Sequence, residues 1–250
     1  MRILYLANNW VGWKAAEVIK ESGAEIVGVV VHPENKQKYV NEILDELSLP
    51  ADRVFPASSL HDPEVIKTIV SLKPDIGISV FFGYIIKPEV IRIFPKGLIN
   101  LHPSLLPYNR GANPNVWSIV EGTPAGATLH YIDEGIDTGD IIQQIQVEVE
   151  PIDTGETLYH KLESACIELF RQTWTRIKVG ETTKKEQGEK GTMHRLSDLD
   201  MIDCIDLEQS VKAADLINIL RARTFPPYKG AYFIKDGKKV YLKLQLEYED

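Results

Sequence analysis

Cysteine, positive charge and long apolar runs are all scarce in this chain, and each scarcity removes a class of protein. Two cysteines, Cys166 and Cys204, stand in 250 residues. Neither sits at metal-ligand spacing, so no zinc site and no disulfide framework can be built on them. Cys166 falls on the apolar side of a predicted helix and reads as a buried structural thiol. A chain without disulfides is expected in a reducing cytoplasm. No apolar run approaches the ~18–20 residues that a bilayer span requires. The opening residues, Met1-Arg2-Ile3-Leu4-Tyr5-Leu6-Ala7, carry no long apolar stretch and no small-residue cleavage site, so they predict a strand and not a signal peptide. Lys and Arg number 28 against 36 Asp and Glu, a net charge of −8. That balance counts against a nucleic-acid partner, because a wide grip on phosphates needs clustered cations. The run Thr182-Thr183-Lys184-Lys185-Glu186-Gln187-Gly188-Glu189-Lys190-Gly191 mixes both signs and reads as a solvated loop.

What is present is an ordinary globular composition, 44% hydrophobic and 26% charged. Its length suits one large domain, or one of about 150–200 residues with a small appendage. Short runs rich in Val and Ile, at 3–7, 25–31, 75–81 and 97–101, alternate with stretches of helical spacing at 13–22, 35–47 and 62–72. Such alternation predicts an α/β fold, a Rossmann-like and mostly parallel sheet with helices on both faces. The nearly all-apolar Ile26-Val27-Gly28-Val29-Val30-Val31 suits a strand covered on both sides. After Leu101 come a proline-rich stretch, a short helix at 116–121, two strands at 127–132 and 141–150, and a long helix to about Val179. Asp153 and Glu156 have the spacing of a reciprocal cap for that helix. From about 191 to 250 a smaller α+β module follows, with a helix at 207–220 and a hairpin at 232–246. The expected boundary is therefore 1–190 and 191–250.

Glycine is scarce where a dinucleotide would want it. The turn after the first strand, Asn8-Asn9-Trp10-Val11-Gly12-Trp13, holds one glycine and two bulky indoles, which would keep a pyrophosphate off the backbone. No P-loop pattern is present. In open parallel sheets ligands sit beyond the carboxyl ends of the strands, so the polar residues there are the candidates. Asn100 and His102 lie two apart at a strand end, and period-two geometry turns both to one face. An acidic, glycine-bearing loop, Asp133 to Asp140, follows about thirty residues on. An Asn amide, a His and an Asp converging on one cleft suit acyl-type transfer to an amine: the amide meets an oxyanion, the imidazole exchanges protons, and the carboxylate fixes the imidazole. Spacing alone leaves this reading beside a bland one, a structural His and an ordinary turn.

The run Asn100-Leu101-His102-Pro103-Ser104-Leu105-Leu106-Pro107, with His130 and Asp137-Thr138-Gly139, closely resembles the signature of the folate-dependent formyltransferases. The similarity extends over about residues 1–180. The resemblance implies Asn100, His102 and Asp137 as the catalytic set, and 10-formyltetrahydrofolate as formyl donor with no metal. It also implies a donor pocket formed by Phe82, Gly83, Tyr84, Ile85 and Ile86 together with Ile132, Asp133, Glu134 and Gly135. The segment 107–117 and the tail 221–231 look most like the sugar N-formyltransferases, which act on nucleotide-linked amino sugars destined for surface polysaccharides. Glycinamide ribonucleotide or initiator-tRNA acceptors, a hydrolase of the folate donor, and a non-catalytic folate- or sugar-binding module are the alternatives. For a nucleotide sugar, Arg110, Arg221, Arg223 and Lys229 are candidate pyrophosphate cations. Trp10, Tyr108, Phe225 and Tyr228 are candidate stacking rings, with Asn9 and Asn109 as polar neighbours. A homodimer, with the C-terminal module as its surface, is a further implication.

Overall fold

The structure is a computed structural model describing residues 1–188 and 190–249. Glu189, within the predicted solvated loop, and Asp250, at the end of the expected module, lie outside the described residues. The amino-terminal part follows the expected alternation: β1 (Arg2–Ala7), α1 (Asn9–Glu21), β2 (Glu25–Val31), α2 (Val40–Leu47), β3 (Val54–Pro56), α3 (Pro63–Ser71), β4 (Ile76–Val80), α4 (Pro88–Ile91) and β5 (Leu98–His102). There follow β6 (Arg110–Gly111), α5 (Pro114–Glu121), β7 (Ala125–Tyr131), β8 (Ile141–Val147) and α6 (Gly155–Val179). The last elements are β9 (Met193–His194), α7 (Asp200–Asp203), α8 (Ala213–Ala222), β10 (Tyr232–Lys235) and β11 (Lys238–Tyr241).

Seven strands form one sheet in the order β3-β2-β1-β4-β5-β7-β8. Pairings from β3 through β5 are parallel, and β5 meets β7 antiparallel. This is the mostly parallel sheet expected, with a small carboxyl-terminal hairpin of β10 and β11. The order reverses on the two sides of β1, so β1 and β4 flank a topological switch point at their carboxyl ends. Beneath it, Leu4, Leu6, Val27, Val30, Phe55, Ile69, Val90, Phe94 and Leu98 form one buried cluster. These aliphatic and aromatic side chains hold the strand ends at fixed spacing, since an interior packed at crystal-like density does not slide.

The chain divides into two compact units that interleave in sequence. The first holds Met1–His102, Thr128–Gln144 and Cys166–Gln187; the second holds Pro103–Ala127, Ile145–Ala165 and the stretch from Gly188 onward. The chain-order boundary at 190 marks a change of pattern, whereas these units follow packing. In the second unit α5 and α8 lie together, with Val116, Ile119, Leu158, Leu162 and Ala222 as its core.

Several local expectations are corrected. The cap of α6 belongs to Thr154 and Thr157, whose hydroxyls each accept the other's backbone N–H (3.2 and 2.9 Å). Asp153 instead accepts from Lys161 Nζ (2.8 Å) and Glu150 N (2.7 Å). The predicted helix at 207–220 begins only at Ala213. The short strands β3, β6 and β9 were not anticipated. Runs this brief carry no measurable alternation, and pairing decides them. Among the described residues no helix is long and apolar enough to cross a membrane.

Candidate active site

Five polar side chains of the first unit converge at the end of β5, and the sheet register explains how. β5 pairs antiparallel with β7 so that Asn100 stands opposite His130, and it pairs with β4 so that Asn100 stands beside Ser79. The Ser79 hydroxyl donates to Asn100 Oδ1 (2.8 Å). That bond orients the amide, leaving Nδ2 to face His130 Nε2 (3.2 Å) and Asp137 Oδ1 (3.4 Å). His130, 1% exposed, places Nδ1 2.8 Å from the carbonyl of Tyr131. A carbonyl only accepts, so Nδ1 carries the proton and Nε2 is the acceptor for the amide. Asp137 stands between the two histidines: Oδ2 lies 3.6 Å from His102 Nδ1, and Oδ1 lies 3.5 Å from His130 Nε2, with no proton on that nitrogen to bridge them. The His102 and His130 rings stand nearly perpendicular, with centroids 6.3 Å apart.

The loop from β7 to β8 is built to hold that carboxylate. Asp137 has φ 52°, in the left-handed region that Asp and Asn tolerate better than other side chains. Asp133 Oδ1 accepts from Gly135 N (3.0 Å) and from the Thr138 hydroxyl (2.6 Å), closing the loop on itself. Gln187 Nε2 donates to the carbonyls of Asp137 (2.8 Å) and Gly139 (2.7 Å). Gly139 must be glycine for space: a Cβ there would stand 1.9 Å from the carbonyl oxygen of Tyr131. The Asp-Thr-Gly sequence thus combines a carboxylate, a loop lock and a close backbone approach.

The three residues expected to be catalytic, Asn100, His102 and Asp137, are brought together. Ser79, Gln187 and the full part of His130 come to light only in the structure. Ser79 is the lone hydroxyl in the otherwise apolar β4, which was its only signal. His130 stood within the quoted motif, but its place opposite Asn100 is a matter of register.

The expected donor-pocket segments also meet. Phe82 and Ile86 are buried in the main cluster, with Tyr84 and Ile132 packed against it. Ile85 is exposed and the Glu134 carboxylate lies 3.6 Å from Arg92. Gly83, Asp133 and Gly135 are exposed.

The acceptor candidates fare differently. Asn9 and Trp10 follow β1 in the first unit, with Asn9 at φ 72° and its Oδ1 accepting from Trp10 N (2.6 Å). In the second unit Tyr108 and Arg110 are half-buried. Phe225 is half-buried against Tyr159 and Tyr228 (both 5.4 Å between ring centroids), and Tyr228 is exposed. Three assignments are corrected. Asn109 is fully buried and its Nδ2 donates to Ser118 Oγ (2.9 Å) and Thr123 Oγ1 (2.8 Å), which makes it a structural tie. Arg221 is buried, and Nη1 donates to the carbonyls of Glu150 (2.9 Å), Pro151 (3.3 Å) and Asp153 (2.9 Å). Burial pulls its pKa down from the ordinary guanidinium value. Arg223 is engaged in a two-point pair with Asp203. Their polar atoms satisfy the second unit's own loops, because a buried unpaired carbonyl or charge costs more than a solvated one. Among the described residues no group of three or more His, Cys, Asp or Glu side chains is arranged to hold a metal ion.

A family model described as formyl transferase matches residues 13–173, and one described as an N-formyltransferase dimerization C-terminal domain matches residues 198–248. The methionyl-tRNA formyltransferase of Geobacter metallireducens is 32% identical over 89% of this chain and 72% of its own length. Among solved structures, a 4-N formyltransferase from Francisella tularensis is similar with a TM-score of 0.86 at 29% identity, covering 99% of this chain and 98% of that one. The formyltransferase PseJ from Anoxybacillus kamchatkensis, solved with UDP-4,6-dideoxy-4-formamido-L-AltNAc and tetrahydrofolate, is similar at 30% identity with a TM-score of 0.58, over 80% of this chain and 89% of that one. With the Asn100, His102 and Asp137 constellation assembled at the carboxyl edge of the sheet and the family model spanning it, the chain belongs to the formyl transferase family.

Proposed function

We propose that this enzyme transfers a formyl group from 10-formyltetrahydrofolate to the amine of a nucleotide-linked amino sugar. The observation that carries the chemistry is the shared carboxylate of Asp137, set between two imidazoles and beside the Asn100 amide. The neutral amine attacks the formyl carbon and a tetrahedral intermediate forms. His102 and the Asn100 amide stabilise its oxyanion, a role suited to preorganised donors in a largely buried site. Asp137 accepts the amine proton, directly or through water. The oxyanion then collapses to the formamide carbonyl, and the folate nitrogen takes a proton back from Asp137 or water as its C–N bond breaks and tetrahydrofolate leaves. Every step uses side chains of this chain, and no covalent enzyme intermediate is formed.

The donor assignment draws support from the folate present in the PseJ complex and from the aromatic and backbone surface of residues 82–86 beside Ile132. A pterin, a polar ring system, fits a largely apolar slot with backbone groups at its edge. The acceptor assignment draws support from the end-to-end likeness to the 4-N formyltransferase from Francisella tularensis and from the amino-sugar product in the PseJ complex. Tyr108, Arg110, Phe225 and Tyr228 are the proposed acceptor residues of the second unit, and Asn9 and Trp10 are the candidates of the first. The family match at 198–248 supports a homodimer formed through that region.

Methionyl-tRNA is the second acceptor reading, favoured by the names of the sequence relatives. The net charge of −8 opposes it on electrostatic grounds. The deciding experiment incubates the protein with 10-formyltetrahydrofolate and, separately, a panel of UDP- and dTDP-linked amino sugars, glycinamide ribonucleotide and charged initiator tRNA, read by mass spectrometry. Gain of one formyl group on a sugar nucleotide supports the reading. Formylation of either other acceptor with none of the sugars refutes the acceptor assignment, and folate binding with no product refutes the enzymatic one.

A further inference from the structure

His32 lies immediately after β2, at the same edge of the sheet as the active site, and the mechanism above does not use it. It is 8% exposed, and its Nε2 has no hydrogen-bond partner among the described residues. A buried donor left unpaired is uncommon in folded proteins and asks for a reason. Three observations surround it. Asn8, at the end of β1, accepts Lys38 N–H on Oδ1 (2.9 Å), which fixes the orientation of its amide. Asn8 Nδ2 therefore faces His32 Nδ1 (3.1 Å) and the carbonyl of Lys36 (3.2 Å). An amide nitrogen only donates, so Nδ1 is the acceptor and the proton of the neutral ring sits on Nε2. The ring so fixed stands edge-on to Phe82 (5.3 Å, 67°) and to Tyr84 (5.0 Å, 86°), which themselves lie 5.6 Å apart. Lys36 Nζ stands 5.6 Å from the Tyr84 ring.

We propose that the Asn8–His32 pair is a positioning device for the folate site: the ring of His32, locked by Asn8, sets the rotamers of Phe82 and Tyr84 in the segment that receives the donor. This rests on the reading of residues 82–86 as the donor pocket. Its physical basis is that three aromatic rings in mutual contact, two of the contacts edge-on, hold one another only while each keeps its orientation. Two of them stand on the turn after β4, where nothing regular fixes their side chains. The hydrogen bond from Asn8 supplies the fixed point, and it joins the carboxyl ends of the adjacent strands β1 and β2. Burial holds His32 below its ordinary pKa, which keeps the tautomer neutral. The bland alternative is that His32 only fills a corner of the core. A core filler affects donor and acceptor alike through stability, whereas a brace on the donor segment affects the donor alone.

The test compares His32→Ala, His32→Phe and Asn8→Ala in the full chain, with circular dichroism and thermal melting to confirm folding. His32→Phe keeps a ring but removes the acceptor of the Asn8 bond, so it carries the test if the alanine variant fails to fold. Steady-state kinetics with the identified acceptor give KM for each substrate, and binding of 5-formyltetrahydrofolate is measured by fluorescence quenching. The expected result is a rise of about tenfold in the donor KM and in the Kd for 5-formyltetrahydrofolate for His32→Ala. A smaller rise is expected for His32→Phe and Asn8→Ala, and the acceptor KM should shift less than about twofold. Equal shifts for both substrates, or none in folded variants, overturn the proposal. Tyr84→Ala separates the two levels of the argument: if it leaves folate affinity unchanged, the donor-pocket reading itself is wrong. If Tyr84→Ala weakens folate binding and the His32 variants do not, only the positioning role is refuted.

Discussion

Replacing Asp137 by Asn tests the centre of the mechanism with little disturbance to the fold. Asparagine has the same shape, and it tolerates the left-handed backbone at this position (φ 52°) as readily as aspartate. The Gln187 bonds run to main-chain carbonyls, so they survive. What is lost is a negative charge 3.6 Å from His102 Nδ1 and 3.5 Å from His130 Nε2, together with the proton acceptor. At 3.6 Å a carboxylate and a protonated imidazole in an effective dielectric of ~20 interact by about 4–5 kcal/mol, an upper bound because His102 carries charge only when protonated. The Asp137 side chain is 17% exposed, so solvent screens part of this. A loss of roughly 3–4 kcal/mol of transition-state stabilisation remains, a fall in kcat of about 10²–10³. The assay is single-turnover formation of the formamide product, followed by quenched mass spectrometry at saturating donor and acceptor. Because the group acts in the chemical step, kcat and kcat/KM should fall together while the Kd for 5-formyltetrahydrofolate stays within about threefold. A variant that folds and retains more than about a tenth of the wild-type rate refutes the role given to Asp137.

Other outcomes follow from the same geometry. Ser79→Ala removes the hydroxyl that orients the Asn100 amide (2.8 Å), and kcat should drop about tenfold with little change in either KM, measured by steady-state kinetics. Arg221→Met strands the carbonyls of Glu150, Pro151 and Asp153; the urea midpoint should fall by the equivalent of about 2–3 kcal/mol, with the acceptor KM of the folded fraction unchanged. An unchanged midpoint and a raised KM would restore Arg221 to the substrate. Burial lowers the pKa of His32 from its ordinary 6.5; the Lys36 backbone pulls the other way and the Lys36 charge acts with burial, both more weakly. The folded state then binds fewer protons than the unfolded state. His32's contribution is complete above about pH 6.5 and is lost as pH falls from there toward its depressed folded value. Melting curves across that window should show a decline that His32→Phe flattens, and identical pH slopes for the two proteins would contradict the assignment.

The amino-acid sequence by itself determined the alternation of strand and helix, because local periodicity of apolar residues is a property of neighbours in the chain. It also located Asn100 and His102 on one face, since a strand alternates by two, and it singled out the acidic loop around Asp137. Only the tertiary structure decided which groups share that site. Ser79, Asn100 and His130 meet through the parallel register of β4 with β5 and the antiparallel register of β5 with β7, and register is set by long-range pairing and burial that no local window contains. The same limit explains the acceptor residues. Arg221, Arg223 and Asn109 carry side chains that suit a nucleotide sugar, and sequence cannot tell a cation waiting for a phosphate from one already bound to carbonyls of its own unit. Whether a polar group faces a ligand or satisfies the backbone depends on what folding places within 3 Å of it, and that distance exists only once the chain has packed.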